Sequence, residues 1–275
     1  MNEAAPGLYP FDIRNTDTDF RDRLQVSSLL SMMQESAYFN AESMGIGARA
    51  LDDLELTWML TRISIRLDSL PVWGEPVWIR TWSRGVRRLL FDRDFLFHAG
   101  SPEAKPFGRA TSEWLIVQRT THRPQRPEQV LATLGMTVAE PAPPPILGEP
   151  SPKLASSWTG SSRPAPLITK FADFSEIDRN RHVNNTRYVA WCLDAACKHQ
   201  TSSLQQMSDP AWPGLDLIGL DIHYLAEILP GERVDLHACP ANEAGGQVLL
   251  IEGFKTDSNQ AAFRARLAFS DLLKA

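Results

Sequence analysis

Cysteine is scarce in this chain: Cys192, Cys197 and Cys239 are the only three in 275 residues. Their spacing fits no zinc-ligand pattern, and an odd number with no framework excludes a disulfide-stapled secreted scaffold. A reducing, cytoplasmic setting is the expectation. Positive charge is not in excess either. Lys and Arg number 28 against 33 Asp and Glu, a net charge of −5, so nothing draws the chain as a whole to nucleic acid or to an anionic membrane. No apolar run approaches the roughly 20 residues of a membrane-spanning helix, so no membrane insertion is expected. The first residues, Met1 to Gly7, lack the basic and apolar regions of a secretory leader. What is present is 43% hydrophobic and 22% charged residues, the make-up of an ordinary globular chain with room for one or two domains.

Apolar periodicity divides the chain into two similar halves. Tyr9 to Arg14 reads as a strand. Val26, Leu29, Leu30, Met33 and Ala37 recur at helical spacing, which predicts an amphipathic helix over 26–43, capped by Ser27 or Ser28 and ended by Gly45 and Gly47. Strand-like runs follow at 57–67, 76–83, 88–98 and 109–118, with Gly74, Gly85 and Gly100 among the breaks. From Ala139 to Pro166 the chain is rich in Pro and Ser and reads as a linker. The second half repeats the order: a strand near 167–172, a polar loop, a helix over 184–199, then strands near 215–226, 232–239, 246–256 and 261–270. One ungapped shift lays Asp19 on Asp178, Glu35 on Asp194, Asp68 on Glu227 and Leu70-Pro71 on Leu229-Pro230. That pattern predicts an internal duplication, two like α+β domains each with one apolar helix among four or five long strands.

The densest chemistry lies in Asp178-Arg-Asn180-Arg-His182-Val-Asn184-Asn185. Acid, amide and imidazole side chains alternate there and run into a helix whose Tyr188, Trp191, Cys192 and Ala195 form one apolar stripe, with Val189, Leu193 and Ala196 as another. Asn184 or Asn185 is the N-cap candidate, so the polar loop ends where backbone N–H groups favour negative charge. His182 offers two distinct nitrogens and a charge change near neutral pH. Asn180 can hold a water or an oxyanion at any pH. Asp178 is either a general base or the group that orders the turn. Glu227 stands at an apolar strand end, where burial would favour a base. His223 shares its face if the pairing is regular and reads as structural. A metal site from His182, His223 and Glu227 has nothing else to recommend it. Two basic clusters, Arg84/Arg87/Arg88 and Arg179/Arg181/Arg187, read either as solvated surface or as a landing site for an acidic partner.

The motif Asp-x-Asn-x-His-Val-Asn-Asn-x-x-Tyr resembles the active-site segment of the acyl-ACP thioesterases, and Trp58-Met-Leu-Thr-Arg62 with Leu70-Pro-Val-Trp-Gly74-Glu resembles that family's first domain. The resemblance implies two tandem hot-dog domains, each a long helix wrapped by a curved antiparallel sheet. Residues 1–138 would form an N-terminal domain holding the acyl chain, 139–166 the linker and 167–275 the catalytic domain. It implies hydrolysis of fatty acyl-ACP, with acyl carrier protein as a transient partner and no cofactor. Asp178, Asn180, His182 and Glu227 are the catalytic candidates, and Leu29, Met33 and Trp58 the tail-binding ones. The family usually places cysteine after the acidic residue; here Ile228 stands there, which leaves water as the nucleophile. The rivals are an acyl-CoA thioesterase and a non-catalytic acyl-thioester sensor. A homodimer of the tandem chain is compatible with the sequence.

Overall fold

The computed structural model describes residues 6–137, 144–158, 163–203, 215–243 and 246–270. The chain divides into two compact units, Met1–Ser151 and Pro152–Ala275. In the first unit, strand β1 (Gly7–Asp12) precedes helices α1 (Val26–Ser43) and α2 (Ala48–Asp52). Strands β2 (Leu56–Leu67), β3 (Pro76–Arg87), β4 (Leu90–Ala99) and β5 (Pro106–Gln118) follow, then the short α3 (Pro127–Thr133). The strands lie in the order β1-β3-β4-β5-β2, antiparallel throughout. Helix α1 lies against β1 and β3 and buries Leu29, Leu30, Met33 and Ala37, the stripe its sequence spacing predicts.

The second unit repeats this plan. It comprises β6 (Ile168–Phe171), α4 (Asn185–Ser203), β7 (Leu217–Tyr224), β8 (Arg233–Glu243), β9 (Gly246–Lys255) and β10 (Ala261–Phe269). The sheet order is β7-β10-β9-β8-β6, again antiparallel, and α4 lies against β6, β8 and β9. Tyr188, Val189, Trp191, Cys192, Ala195 and Ala196 are all buried, so both apolar stripes of α4 are used. Each unit is therefore the α+β arrangement expected, one long helix on one antiparallel sheet.

Local details differ from the expectations. Neither Ser27 nor Ser28 caps α1; Gln25 holds the N-cap position without a side-chain cap, because the helix begins at the buried Val26. Gly45, at φ +77°, follows the helix end and uses the left-handed conformation glycine tolerates. Gly47 instead leads into α2, which sequence periodicity did not reveal. Gly85 breaks nothing: it sits inside β3 at φ 108°, where the register with β4 shifts. That bulge lets the strand run on to Arg87.

The two units share a loop in atomic detail. Asp19 N–H donates to the Arg23 carbonyl at 2.7 Å and Asp22 N–H to the Asp19 carbonyl at 3.0 Å; Asp178 to His182 and Arg181 to Asp178 make the same bonds at 3.0 and 2.9 Å. Asp22 and Arg181 both take positive φ, 57° and 66°. The single shift thus carries through loop and helix. It fails beyond them. Leu24 N–H donates to the Pro71 carbonyl and Val183 N–H to that of Ile228, each at 2.9 Å. In the turns that follow, Val72 N–H bonds the Glu75 carboxylate and Leu229 N–H that of Glu232, around Gly74 and Gly231, both at positive φ. So Pro71 matches Ile228 and Leu70 matches Glu227, not Asp68. The second copy is two residues shorter before this turn, a deletion that an ungapped overlay cannot show.

The Pro- and Ser-rich segment is tied down where it is described. In the first unit Ile146 N–H donates to Asp94 at 2.9 Å and Ser151 Oγ to the Thr111 carbonyl at 3.1 Å. In the second, Ser156 Oγ donates to Glu252 at 3.0 Å and Arg264 to the Leu154 carbonyl at 3.1 Å. Asp94 and Glu252 are buried. Desolvation raises the Asp94 carboxyl above its ordinary pKa, opposed by the Thr111 hydroxyl, Arg84 and the Ile146 amide. The segment satisfies buried carboxylates that would otherwise be costly to bury.

Candidate active site

The site is built on the polar loop of the second unit. A 3-10 turn, Phe174–Glu176, leads in, and an isolated bridge between Ile177 and Val183 closes the loop. Within it the Asp178 carboxylate accepts the Asn180 N–H at 2.8 Å, an Asx turn that fixes the Asn180 backbone. His182 Nδ1 stands 3.9 Å from Asp178 Oδ1, with the two side chains only 16% and 17% exposed. The Asp178 charge therefore acts on the imidazole across a short, partly desolvated gap. Asn184 N–H donates to the Glu176 carbonyl at 2.9 Å, and Asn184 Oδ1 accepts from Thr186 N–H at 2.9 Å. Of the two cap candidates it is thus Asn184 that caps α4, and Asn185 is the first helical residue.

Glu227 comes from the turn beyond β7. That strand ends at Tyr224, short of the expected 226, because Leu225 and Ala226 both direct their N–H groups to the Ala262 carbonyl. Face-sharing by strand alternation therefore does not link His223 to Glu227. His223 instead lies opposite Arg264 of β10. Glu227 is half-buried and precedes Ile228, whose carbonyl receives the Val183 N–H. The Val183 amide thus ties the loop to the turn.

One residue of the motif that reads from sequence as packing has a second role. Tyr188 is buried in α4, and its hydroxyl is hydrogen-bonded with the Ile228 backbone. Desolvation raises its pKa well above the ordinary value, and the charges of Glu227 and Asp178 raise it further. Glu232 adds to the same effect. Tyr224 Oη donates to the Asn185 carbonyl at 3.1 Å, and Trp191 Nε1 to Glu176 at 2.9 Å. These bonds hold the head of α4 against the loop and strand. Their sequence signal was only an aromatic residue with a polar tip on a buried stripe.

The other candidates divide. Leu29 and Met33 are fully buried on one face of α1. Trp58 donates its Nε1–H to the Ile46 carbonyl at 3.0 Å and packs edge-on to Phe91, in a group with Ala41, Leu51 and Leu131 that does not include Leu29 or Met33. The Arg84/Arg87/Arg88 cluster is a surface patch only in part. Arg84 is buried between Asp92 and Asp94, and Arg87 reaches Asp92 at 3.2 Å and Glu113 at 2.9 Å. Arg87, though so paired, is exposed, as is Arg88. Arg179, Arg181 and Arg187 are exposed as expected. Cys192 is buried and Cys197 partly so, and desolvation raises both thiols above their ordinary pKa, the opposite of what a nucleophile needs. Among the described residues no group of three or more His, Cys, Asp or Glu is placed to hold a metal, and no helix is long and apolar enough to cross a membrane.

Known proteins share these features. Residues 9–134 match the family profile of the acyl-ACP thioesterase N-terminal domain, and residues 168–267 that of the C-terminal domain. A chloroplastic palmitoyl-acyl carrier protein thioesterase of Gossypium hirsutum is 29% identical over 195 residues, covering 68% of this chain and 46% of that protein. A chloroplastic oleoyl-acyl carrier protein thioesterase of Arabidopsis thaliana is 24% identical over 244 residues, 86% of this chain and 64% of that protein. The chain thus spans about half to two thirds of these curated relatives. The crystal structure of an acyl-ACP thioesterase from Bacteroides thetaiotaomicron superposes with a TM-score of 0.73 at 26% identity, over 96% of this chain and 98% of that one. The 12:0-ACP thioesterase from Umbellularia californica shares the fold, with a TM-score of 0.73 at 18% identity over 95% and 92%. With both halves matched in order, and with the tandem α+β fold of a solved member, the chain belongs to the acyl-ACP thioesterase family.

Proposed function

We propose that this chain hydrolyses fatty acyl-ACP, releasing the free fatty acid and the carrier thiol. A water oxygen adds to the thioester carbonyl carbon as a base takes its proton. The resulting oxyanion collapses, the C–S bond breaks and the sulfur is protonated as it leaves. The observation that carries the reading is the doubled loop. Asp19 Oδ1 accepts the Arg21 N–H at 2.8 Å, as Asp178 Oδ1 accepts that of Asn180. The first copy keeps this aspartate yet carries Arg21, Arg23 and Leu70 where the second has Asn180, His182 and Glu227. Arginine stays protonated and cannot act as a base, and leucine has no proton to give or take.

This comparison separates scaffold from chemistry. A group retained in both copies, in the same hydrogen bond, orders the loop; Asp178 is assigned that task, plus the field on His182. Groups present in one copy alone carry the reaction. Glu227 is the base that activates water, Asn180 holds the water or oxyanion through its amide, and His182 polarises the carbonyl or protonates the sulfur. The N-terminus of α4 favours the developing negative charge. The first unit is assigned the acyl tail, with Leu29 and Met33 as the buried apolar lining and Trp58 as a further one. Three unbridged thiols suit a reducing cytosol.

The test is hydrolysis of acyl-ACP and acyl-CoA of matched chain length by the purified chain. Turnover of acyl-ACP with the higher kcat/KM is expected. Preference for acyl-CoA would replace the carrier, and binding of both without turnover would make the chain a sensor.

A further inference from the structure

We propose that the surface from Phe171 to Arg187, with the Leu229 turn beside it, is the face on which the acidic carrier protein docks. This rests on the acyl-ACP reading and adds its location. Phe174 is 98% exposed, and Phe171 and Leu229 are also exposed. They are brought together by backbone bonds: Ala172 N–H donates to the Glu232 carbonyl and Gly231 N–H to that of Ala172, each at 2.9 Å. A fully exposed phenylalanine in the lead-in to a catalytic loop has no fold to support. The segment carries Asp173, Glu176 and Asp178 as well, but its exposed charges are mainly positive, three arginines against Asp173. Arg187 donates to the Ser175 carbonyl at 3.2 Å, next to Phe174, and Arg179 and Arg181 flank Asn180 on the exposed side of the same loop.

The first unit supplies the internal control. Its loop has the same backbone, but Asn15, Phe20, Asp22 and Ser28 stand where the second has Phe174, Arg179, Arg181 and Arg187. The first copy also exposes apolar side chains, Phe20 in its loop and Val72 and Trp73 at its turn, so what is confined to the copy that holds Asn180, His182 and Glu227 is the three positive charges at these positions. In a chain of net charge −5, a local basic surface next to the reacting groups fits an acidic partner that must place its thioester there. Of the first unit's basic cluster, Arg84 is buried and Arg87, though exposed, is held by Asp92 and Glu113, so neither is included in this face.

The variants can be chosen to fold. Arg181→Asp installs the residue the first unit tolerates at the same positive φ, and Arg187→Glu puts an acid in the first turn of α4, where the helix dipole favours it. With Arg179→Glu added, the triple variant is assayed on acyl-ACP and on the matching acyl-pantetheine. Arg88→Glu, an exposed site of the first unit, is the control. The expected result is a KM for acyl-ACP raised at least about tenfold with kcat preserved, and acyl-pantetheine kinetics unchanged. Added salt should raise the wild-type KM towards that of the variant, and Phe174→Ser should raise KM without altering the salt dependence. If wild type cleaves acyl-ACP and the triple variant keeps its KM, or if Arg88→Glu matches it, the docking face is wrong and the activity stands. If wild type cleaves acyl-pantetheine alone, the carrier reading fails and the docking face with it.

Discussion

Asp178 and Asp19 make the same 2.8 Å hydrogen bond in two loops, and only one of those loops carries Asn and His, with Glu in the turn bonded to it. Asparagine keeps the accepting oxygen of aspartate but not its charge. Asp178→Asn should therefore preserve the turn and remove only the field on His182. Across this partly desolvated gap of 3.9 Å that field is worth between about 1 and about 4 kcal/mol, and only the part felt more strongly in the transition state reaches kcat, so kcat should fall less than in Glu227→Gln. Glu227→Gln removes the proposed base and should cost about 100- to 10,000-fold. The reverse ranking, measured as kcat on one thioester, would make Asp178 the base. Cysteine is the other residue-scale question. Cys192 is buried with its thiol pushed up, and Ile228 fills the position where relatives would offer a nucleophile. Replacing Cys192 with Ala and Cys197 and Cys239 with Ser should leave turnover within about threefold, allowing for lost packing at Cys192. Loss of turnover in a folded triple variant would contradict attack by water.

At the scale of elements, the strands of the first unit hold a chain of buried ion pairs. Glu113 bonds Arg62 and Arg87, and Arg84 joins Asp92 to Asp94. Removing one member leaves buried charge uncompensated, so Glu113→Ala should destabilise by about 3–5 kcal/mol. The exposed Arg233–Asp257 pair should contribute about 0–1 kcal/mol, read by Asp257→Ala in the same urea titration. Equal effects would mean that the buried pairs are hydrated. This network also marks where the sequence stopped being legible. Apolar spacing located α1, α4 and the long strands, because burying one face is a local, periodic demand. Arg84 looked like part of a surface cluster because its partners, Asp92 and Asp94, lie on β4, and no local pattern encodes a pairing across strands. The Pro- and Ser-rich segment looked like a tether for the same reason: its bonds to Asp94 and Glu252 are contacts distant in sequence. The shortening that moves Glu227 onto Leu70 was invisible to any ungapped shift.

For the whole molecule, duplication gives one scaffold twice, and the proposed reacting groups lie in one copy alone. The motif Asp178-x-Asn180-x-His182 was legible because polar side chains alternating before a buried helix have few structural uses. Tyr188 was not legible as a partner of Ile228, since its hydroxyl meets the turn only after β7 folds beside α4. The two copies now predict unequal responses to equal surgery. The decisive measurement is kcat and kcat/KM on acyl-ACP for Asn180→Ala, His182→Ala, Arg21→Ala and Arg23→Ala, with folding checked for each. A protein with one active centre in its second unit should lose about 100- to 10,000-fold in the first pair. The second pair should lose less than about tenfold, with Arg23→Ala acting through its 3.2 Å contact to Asp19 on stability rather than on turnover. Comparable losses in both pairs would contradict the single centre.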